Sequence, residues 1–182
     1  MFTPPQQIKA GSYCPNVQLD SIKYLLARFN ERVSQEDEED VKLQMCPDFQ
    51  RGHVWTESQQ IKFVEHLLSG GESGRTIYLN APWWGNYNYE IYDYKDFVVV
   101  DGLQRLTAVI KFLDGDLAVF DGYYVDDIKL DSSISLVFNI NNIKTKKEVL
   151  MWYLQMNDGG TPHTQNELER VKNMIIDLEK EN

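Results

Sequence analysis

The chain has 182 residues, 42% hydrophobic and 12% aromatic, and its 28 acidic against 18 basic side chains leave a formal net charge of −10. One domain with a sizeable core is the default at that length, and the composition excludes a disordered chain. The acidity argues against a protein that grips duplex nucleic acid along a broad basic face, and no run of about 18 apolar residues is present to span a membrane.

The first residues, Met1-Phe2-Thr3-Pro4-Pro5, place no basic region before an apolar one, so no signal peptide is expected and the reading is cytoplasmic. Cys14 and Cys46 are far apart and form no Cys-x-x-Cys pattern, which fits a reducing compartment and not a zinc site. His53, His66 and His163 lie in separate segments without ligand spacing.

Val17, Ile22, Leu25, Leu26, Phe29 and Val33 suggest a first helix. A polar linker over about 34–46 follows, and within it Glu36-Asp37-Glu38-Glu39-Asp40 is an unbroken acidic run. The simpler reading of that run is a solvated loop; the sharper one is a phosphate mimic for a basic channel on a partner protein. Next comes Pro47-Asp48-Phe49-Gln50-Arg51-Gly52-His53-Val54-Trp55, then Thr56-Glu57-Ser58-Gln59, a capping-box pattern. It opens a helix over 59–69 with Ile61, Val64 and Leu68 on its apolar stripe and Gly70-Gly71 at its end.

A strand is expected over 76–80. The segment 81–89 then reads as a loop, within a hairpin that leads to 90–94. Its Trp83, Trp84 and Tyr87 have two readings of equal weight, packing within the loop or a platform for a nucleobase or a partner's apolar patch. Adjacent tryptophans in a polar loop are not expected to be wholly buried.

Phe97-Val98-Val99-Val100 suits a strand covered on both faces, and Asp101-Gly102 turns it at once into a helix. Asp101 is placed to cap that helix and Gly102 to allow the tight turn. Leu106, Val109, Ile110 and Leu113 share one face, and Asp114-Gly115 ends the helix. A helix that starts straight off a strand presents free N–H groups to anions, and Arg105 adds a fork of donors suited to phosphate. Gln50-Arg51 and Gln104-Arg105 thus form two Gln-Arg pairs, each beside a helix start. Brought together, they would clamp a polyphosphate or a nucleic-acid backbone.

Short strands are expected over 117–120, 123–125 and 136–140. Thr145-Lys146-Lys147-Glu148 is another capping box, continued by Val149, Trp152, Tyr153 and Met156 on one helical face. A last helix over about 164–180 sets Leu168, Val171, Ile175 and Leu178 on one stripe, either to close the domain or to form a homodimer interface.

With these motifs in place, the chain resembles the amino-terminal domain of the GmrS-type family. Its hallmark is an Asp-Gly-Gln-Gln-Arg motif, and it belongs to the ParB/sulfiredoxin-like superfamily. The family's Pro-x-Tyr-Gln-Arg-x-x-x-Trp pattern matches Pro47 to Trp55, and the hallmark matches Asp101-Gly102-Leu103-Gln104-Arg105. A later Asn followed by Gly-Gly-Thr-Pro matches Asn157 to Pro162, so the resemblance runs from about 17 to 180. Phe49 stands for the family's Tyr and Leu103 for the first Gln of the hallmark.

The resemblance implies a single α+β domain, a small mixed sheet flanked by helices, from a bacteriophage or mobile element. It implies a nucleoside triphosphate and magnesium as cofactors. Asp101, Gln104 and Arg105 would then be the hydrolytic residues, with Gln50, Arg51, Gly102 and Arg105 holding phosphate. With no second domain expected beyond Asn182, DNA cutting does not carry over from the full-length relatives. The alternative is a non-enzymatic anti-defence protein, such as an anti-CRISPR inhibitor, that binds a CRISPR or restriction nuclease through the acidic run.

Overall fold

The structure is a computed structural model that describes residues 15–34, 43–52, 54–85, 94–157 and 165–180. Among these residues the strands are β1 (Asn16–Gln18), β2 (Thr76–Asn80), β3 (Val98–Asp101) and β4 (Ser135–Asn141). The helices are α1 (Ile22–Ser34), α2 (Glu57–Leu68), α3 (Leu103–Leu113), α4 (Lys146–Asn157) and α5 (Gln165–Lys180). The strands form one mixed sheet in the order β1-β4-β2-β3. The central pair β2–β4 is parallel, and both outer pairs are antiparallel. This is the expected α+β domain, a small mixed sheet between helices.

Side-chain alternation along the strands sorts two apolar layers. Ile77 and Leu79 of β2, Val99 of β3, and Leu136, Phe138 and Ile140 of β4 pack with α1 and α3 on one face. Val98 and Val100 of β3 point the other way, against Val149, Leu150, Trp152 and Tyr153 of α4 and Val171 of α5. Cover on both faces is why β3 reads as an unbroken apolar run. Ile175 and Leu178 join the second layer, so the α5 stripe closes the domain.

Thr56 and Gln59 form the expected capping box at the start of α2, and β2 falls on the expected residues. Other segments differ. Val17 belongs to β1 and not to a helix, because Asn16 and Gln18 are exposed on either side of it while it pairs with Leu136. The strands expected at 117–120 and 123–125 shrink to a single bridge between Val119 and Tyr123, followed by a 3-10 turn over Val125–Asp127. Phe120, Asp121 and Gly122 all have positive φ, which curls the chain too tightly for a ladder to extend. In the expected polar linker, Gln44 instead pairs with Val98 and covers the outer edge of β3.

Trp83 and Trp84 are also corrected. They are only 1% and 8% exposed, packed against Phe97 and, for Trp84, the edge of Phe29. Trp83 donates its indole N–H to the Lys95 carbonyl at 3.0 Å, so its one polar group is satisfied inside. Neither ring offers a face for a base or a partner. Tyr87 and the run Glu36 to Asp40 lie outside the described residues, as do His53, His163 and the Gly-Gly-Thr-Pro segment.

A candidate phosphate cleft at the end of strand β3

The end of β3 is shaped by an extra residue. Tyr78 pairs with Asp101 but Leu79 pairs with Val99, so Val100 is an insertion in the ladder, a β-bulge. The bulge frees carbonyls, and Gln50 takes them. Its Nε2 donates to the carbonyls of Val99 and Val100 at 2.7 and 3.0 Å. Two carbonyl partners fix which end of the amide is nitrogen. Gln50 is only 9% exposed, and its Oε1 is not a buried unpartnered atom; among the described residues those are Gln60 Oε1 and Asn141 Nδ2. From the other side α5 holds the same turn. Arg170 donates to the carbonyls of Asp48, Phe49 and Gln50 at 2.7, 3.1 and 3.3 Å.

Gly102 follows β3 with φ +103, where an L side chain is strained, and an added Cβ would lie 2.7 Å from Ile77 Cδ1. It is the residue just before α3, so the helix has no side-chain cap. The expectation that Asp101 caps α3 is therefore corrected. The chain turns too sharply at Gly102, and the Asp101 carboxylate pairs forward with Arg105 Nη2. Arg105 Nη1 donates to the carbonyls of Gly74 and Thr76, both at 2.8 Å. These bonds tie the start of β2 to α3.

Gln104 is equally committed. Its Oε1 accepts from the N–H groups of Val54 and Trp55 at 2.9 and 3.1 Å, and its Nε2 donates to the Gly52 carbonyl at 3.1 Å. It fastens Gly52, Val54 and Trp55 to α3 and keeps one of its two amide protons beyond that bond. Arg51 differs. It is half-buried as a residue, and its guanidinium has no protein hydrogen bond or ion pair among the described residues.

All of these residues line one cleft of about 300 Å³: Gln50, Arg51, Asp101, Gly102, Gln104 and Arg105, joined by Trp55, Leu103, Tyr153, Met156 and Asn157. The two Gln-Arg pairs are thus brought together as expected, but with unequal roles. Arg51 is open to a ligand, Arg105 keeps two of its five protons for one, and both glutamine amides serve the backbone. Among the lining residues two arginines face one carboxylate, so the cleft is locally positive within an acidic chain.

Leu103 is 6% exposed and packs in the larger core layer, so a side chain there faces the interior as much as the cleft. Tyr153 reports the same field. Burial raises its phenol above the ordinary value of 10.0, while the Arg51 charge pulls it down. Sequence reasoning gave Tyr153, Met156, Asn157 and Arg170 no part in the site. Asn157 carries a family-motif signal and Tyr153 and Met156 the spacing of an apolar helix face, but neither signal points into the cleft, and Arg170 carries none.

Among the described residues no helix is long and apolar enough to cross a membrane. No observation among them favours the inhibitor reading. A family model described as the N-terminal domain of the GmrSD restriction endonuclease matches residues 29–136 of the chain. That match includes both Gln-Arg pairs, β2 and β3, and ends at the start of β4. No curated protein and no solved structure matches the chain.

Proposed function

We propose that this chain, which belongs to the family of GmrSD restriction endonuclease N-terminal domains, binds the phosphates of a nucleoside triphosphate in the cleft at the end of β3. The observation that carries the reading is Arg51, whose guanidinium has no protein partner among the described residues, beside a helix start without a side-chain cap. A guanidinium that faces the cleft without a protein partner is free to pair with an anion there. The N–H groups of Leu103, Gln104 and Arg105 lie in the uncapped first turn of α3, where the helix dipole favours the same charge.

Arg105 serves first as a frame, with its remaining protons available to a phosphate oxygen. Asp101 is the carboxylate among the lining residues. Magnesium is commonly held by one or two carboxylates together with phosphate oxygens and water, so these residues fit an ion that arrives with the nucleotide. When bound, the ion would neutralise phosphate charge next to Asp101. Asp101 itself, oriented by Arg105, is the group placed to position a water for hydrolysis.

The reading is tested by titrating magnesium–ATP into 15N-labelled protein. The amides of Leu103 to Arg105 and the Arg51 Nε should shift together and saturate together. Shifts confined to other surfaces, with these four unmoved, would place the nucleotide elsewhere.

A further inference from the structure

We infer that the tight turn at 119–124 is a docking surface for a protein partner that presents arginine from a basic face. Phe120 to Tyr124 are exposed without interruption, and the three aromatic residues among them, Phe120, Tyr123 and Tyr124, are 41%, 57% and 48% exposed. Rings gathered in one exposed place mark contact with another molecule. The turn is rooted directly beneath them, since Leu117 and Val119 are buried with Val64, Ala108 and Phe112.

The backbone of the turn is fixed at several points. Val119 and Tyr123 exchange two N–H to carbonyl bonds, both 2.8 Å, and Phe120 donates its N–H to Glu65 Oε1 of α2 at 2.7 Å. Tyr124 donates its N–H to Asp127 Oδ2 at 3.0 Å. Phe120 and Asp121 have φ of 49° and 63°, the non-glycine residues with positive φ among the described residues. A side chain in that region is strained where a glycine would not be. The fold therefore maintains exposed rings on a strained but well-tied backbone. Rings preset in this way lose little freedom when a partner covers them.

Charge selects the partner. Asp121, Asp126 and Asp127 stand among the rings, Asp116 precedes them, and no basic residue falls between 116 and 127. Asp116, Asp121 and Asp126 are exposed and have no ion pair among the described residues. Carboxylates repel phosphate, which disfavours a nucleic-acid strand, and two chains of net charge −10 repel each other, which disfavours a second copy. Arginine suits both features, because its guanidinium stacks on an aromatic face and forks onto a carboxylate, whereas lysine brings a point charge. The turn follows the far end of α3, about 16 Å of helix from the phosphate cleft, so this surface is separate from that site.

The test is a titration of 15N-labelled protein with the peptide Gly-Arg-Gly-Arg-Gly, its lysine counterpart, and a single-stranded deoxyoligonucleotide. The amides of 119–127 should shift and saturate with the arginine peptide, at affinity about threefold or more above the lysine one. Replacing Tyr123 and Tyr124 together by Ser should abolish those shifts. Replacing Glu36, Asp37, Glu38, Glu39 and Asp40 by their amides should leave them in place, which separates the turn from general attraction to an acidic chain. Asp121→Gly removes a carboxylate and relieves the backbone, so it should weaken the arginine peptide roughly twofold to fivefold while Tm holds or rises. A fall in Tm would show that Asp121 serves the fold and overturn its place in the surface. Equal affinity for the two peptides, or shifts confined to other segments, would refute the proposal. Movement of the same amides by the oligonucleotide, or by protein concentration alone, would replace the basic partner with a nucleic acid or a second copy and overturn it too.

Discussion

Arg105→Ala should cost stability before it costs anything else. The guanidinium makes three hydrogen bonds within the chain, to the carbonyls of Gly74 and Thr76 at 2.8 Å and to the Asp101 carboxylate. Bonds to a charged group contribute about 1.5–3 kcal/mol each, so a naive sum reaches roughly 5–9 kcal/mol. That sum is too high. The Arg105 and Asp101 side chains are 19% and 34% exposed, so water screens the pair and replaces part of what is lost. A net loss of about 2–3 kcal/mol is expected, concentrated where the start of β2 meets α3. For a chain of this size that corresponds to a fall in Tm of roughly 4–12 °C. Urea denaturation followed by circular dichroism reads the loss as a lower midpoint at unchanged slope. Arg105→Lys, which keeps the charge but not the fork, should fall between. If Arg105→Ala unfolds within about 0.5 kcal/mol of the parent, the three bonds are idle and the framing role is wrong.

The other consequences are narrower. Gly102→Ala should destabilise by about 2–3 kcal/mol, since a methyl at φ +103 is strained and meets Ile77 at 2.7 Å; equal stability by the same denaturation would contradict that geometry. Trp83→Ala removes a fully enclosed indole and should cost about 3–5 kcal/mol, whereas a surface platform would lose almost nothing. Tyr153 gives a pH prediction. Its folded pKa lies above the unfolded 10.0, so the contribution of its neutral phenol is complete below pH 10.0 and is lost as pH rises through the folded value. Arg51 is the charge that lowers this pKa most, so Arg51→Ala should move Tyr153 further up in a 13Cζ NMR titration; no movement would separate Arg51 from the α4 wall.

Much of this fold is written locally. The capping box at Thr56, the apolar run of β3 and the turn at Gly102 follow from neighbours in sequence, and each sits where the residues predict. What escapes is long-range. Nothing near Trp83 and Trp84 says that Phe97 and Phe29 will enclose them, so the residues alone leave packing and an exposed platform evenly weighted. Asp101 carries the signature of a helix cap, but the bulge at Val100 and the positive φ of Gly102 turn its carboxylate toward Arg105. The meeting of the two Gln-Arg pairs was legible because both belong to recognisable motifs. The division of labour between them was not. That depends on which carbonyls the bulge sets free, and on an arginine in α5, 120 residues beyond Gln50, that claims the same turn.

The most direct test of the phosphate clamp is the affinity of wild-type protein and of Arg51→Ala for magnesium–ATP, measured by calorimetry at equal ionic strength. Arg51 has no structural partner among the described residues, so the variant should fold with unchanged Tm and bind at least about tenfold more weakly, the scale of one charge-assisted hydrogen bond. A folded Arg51→Ala protein that binds as tightly as the wild type would contradict the account.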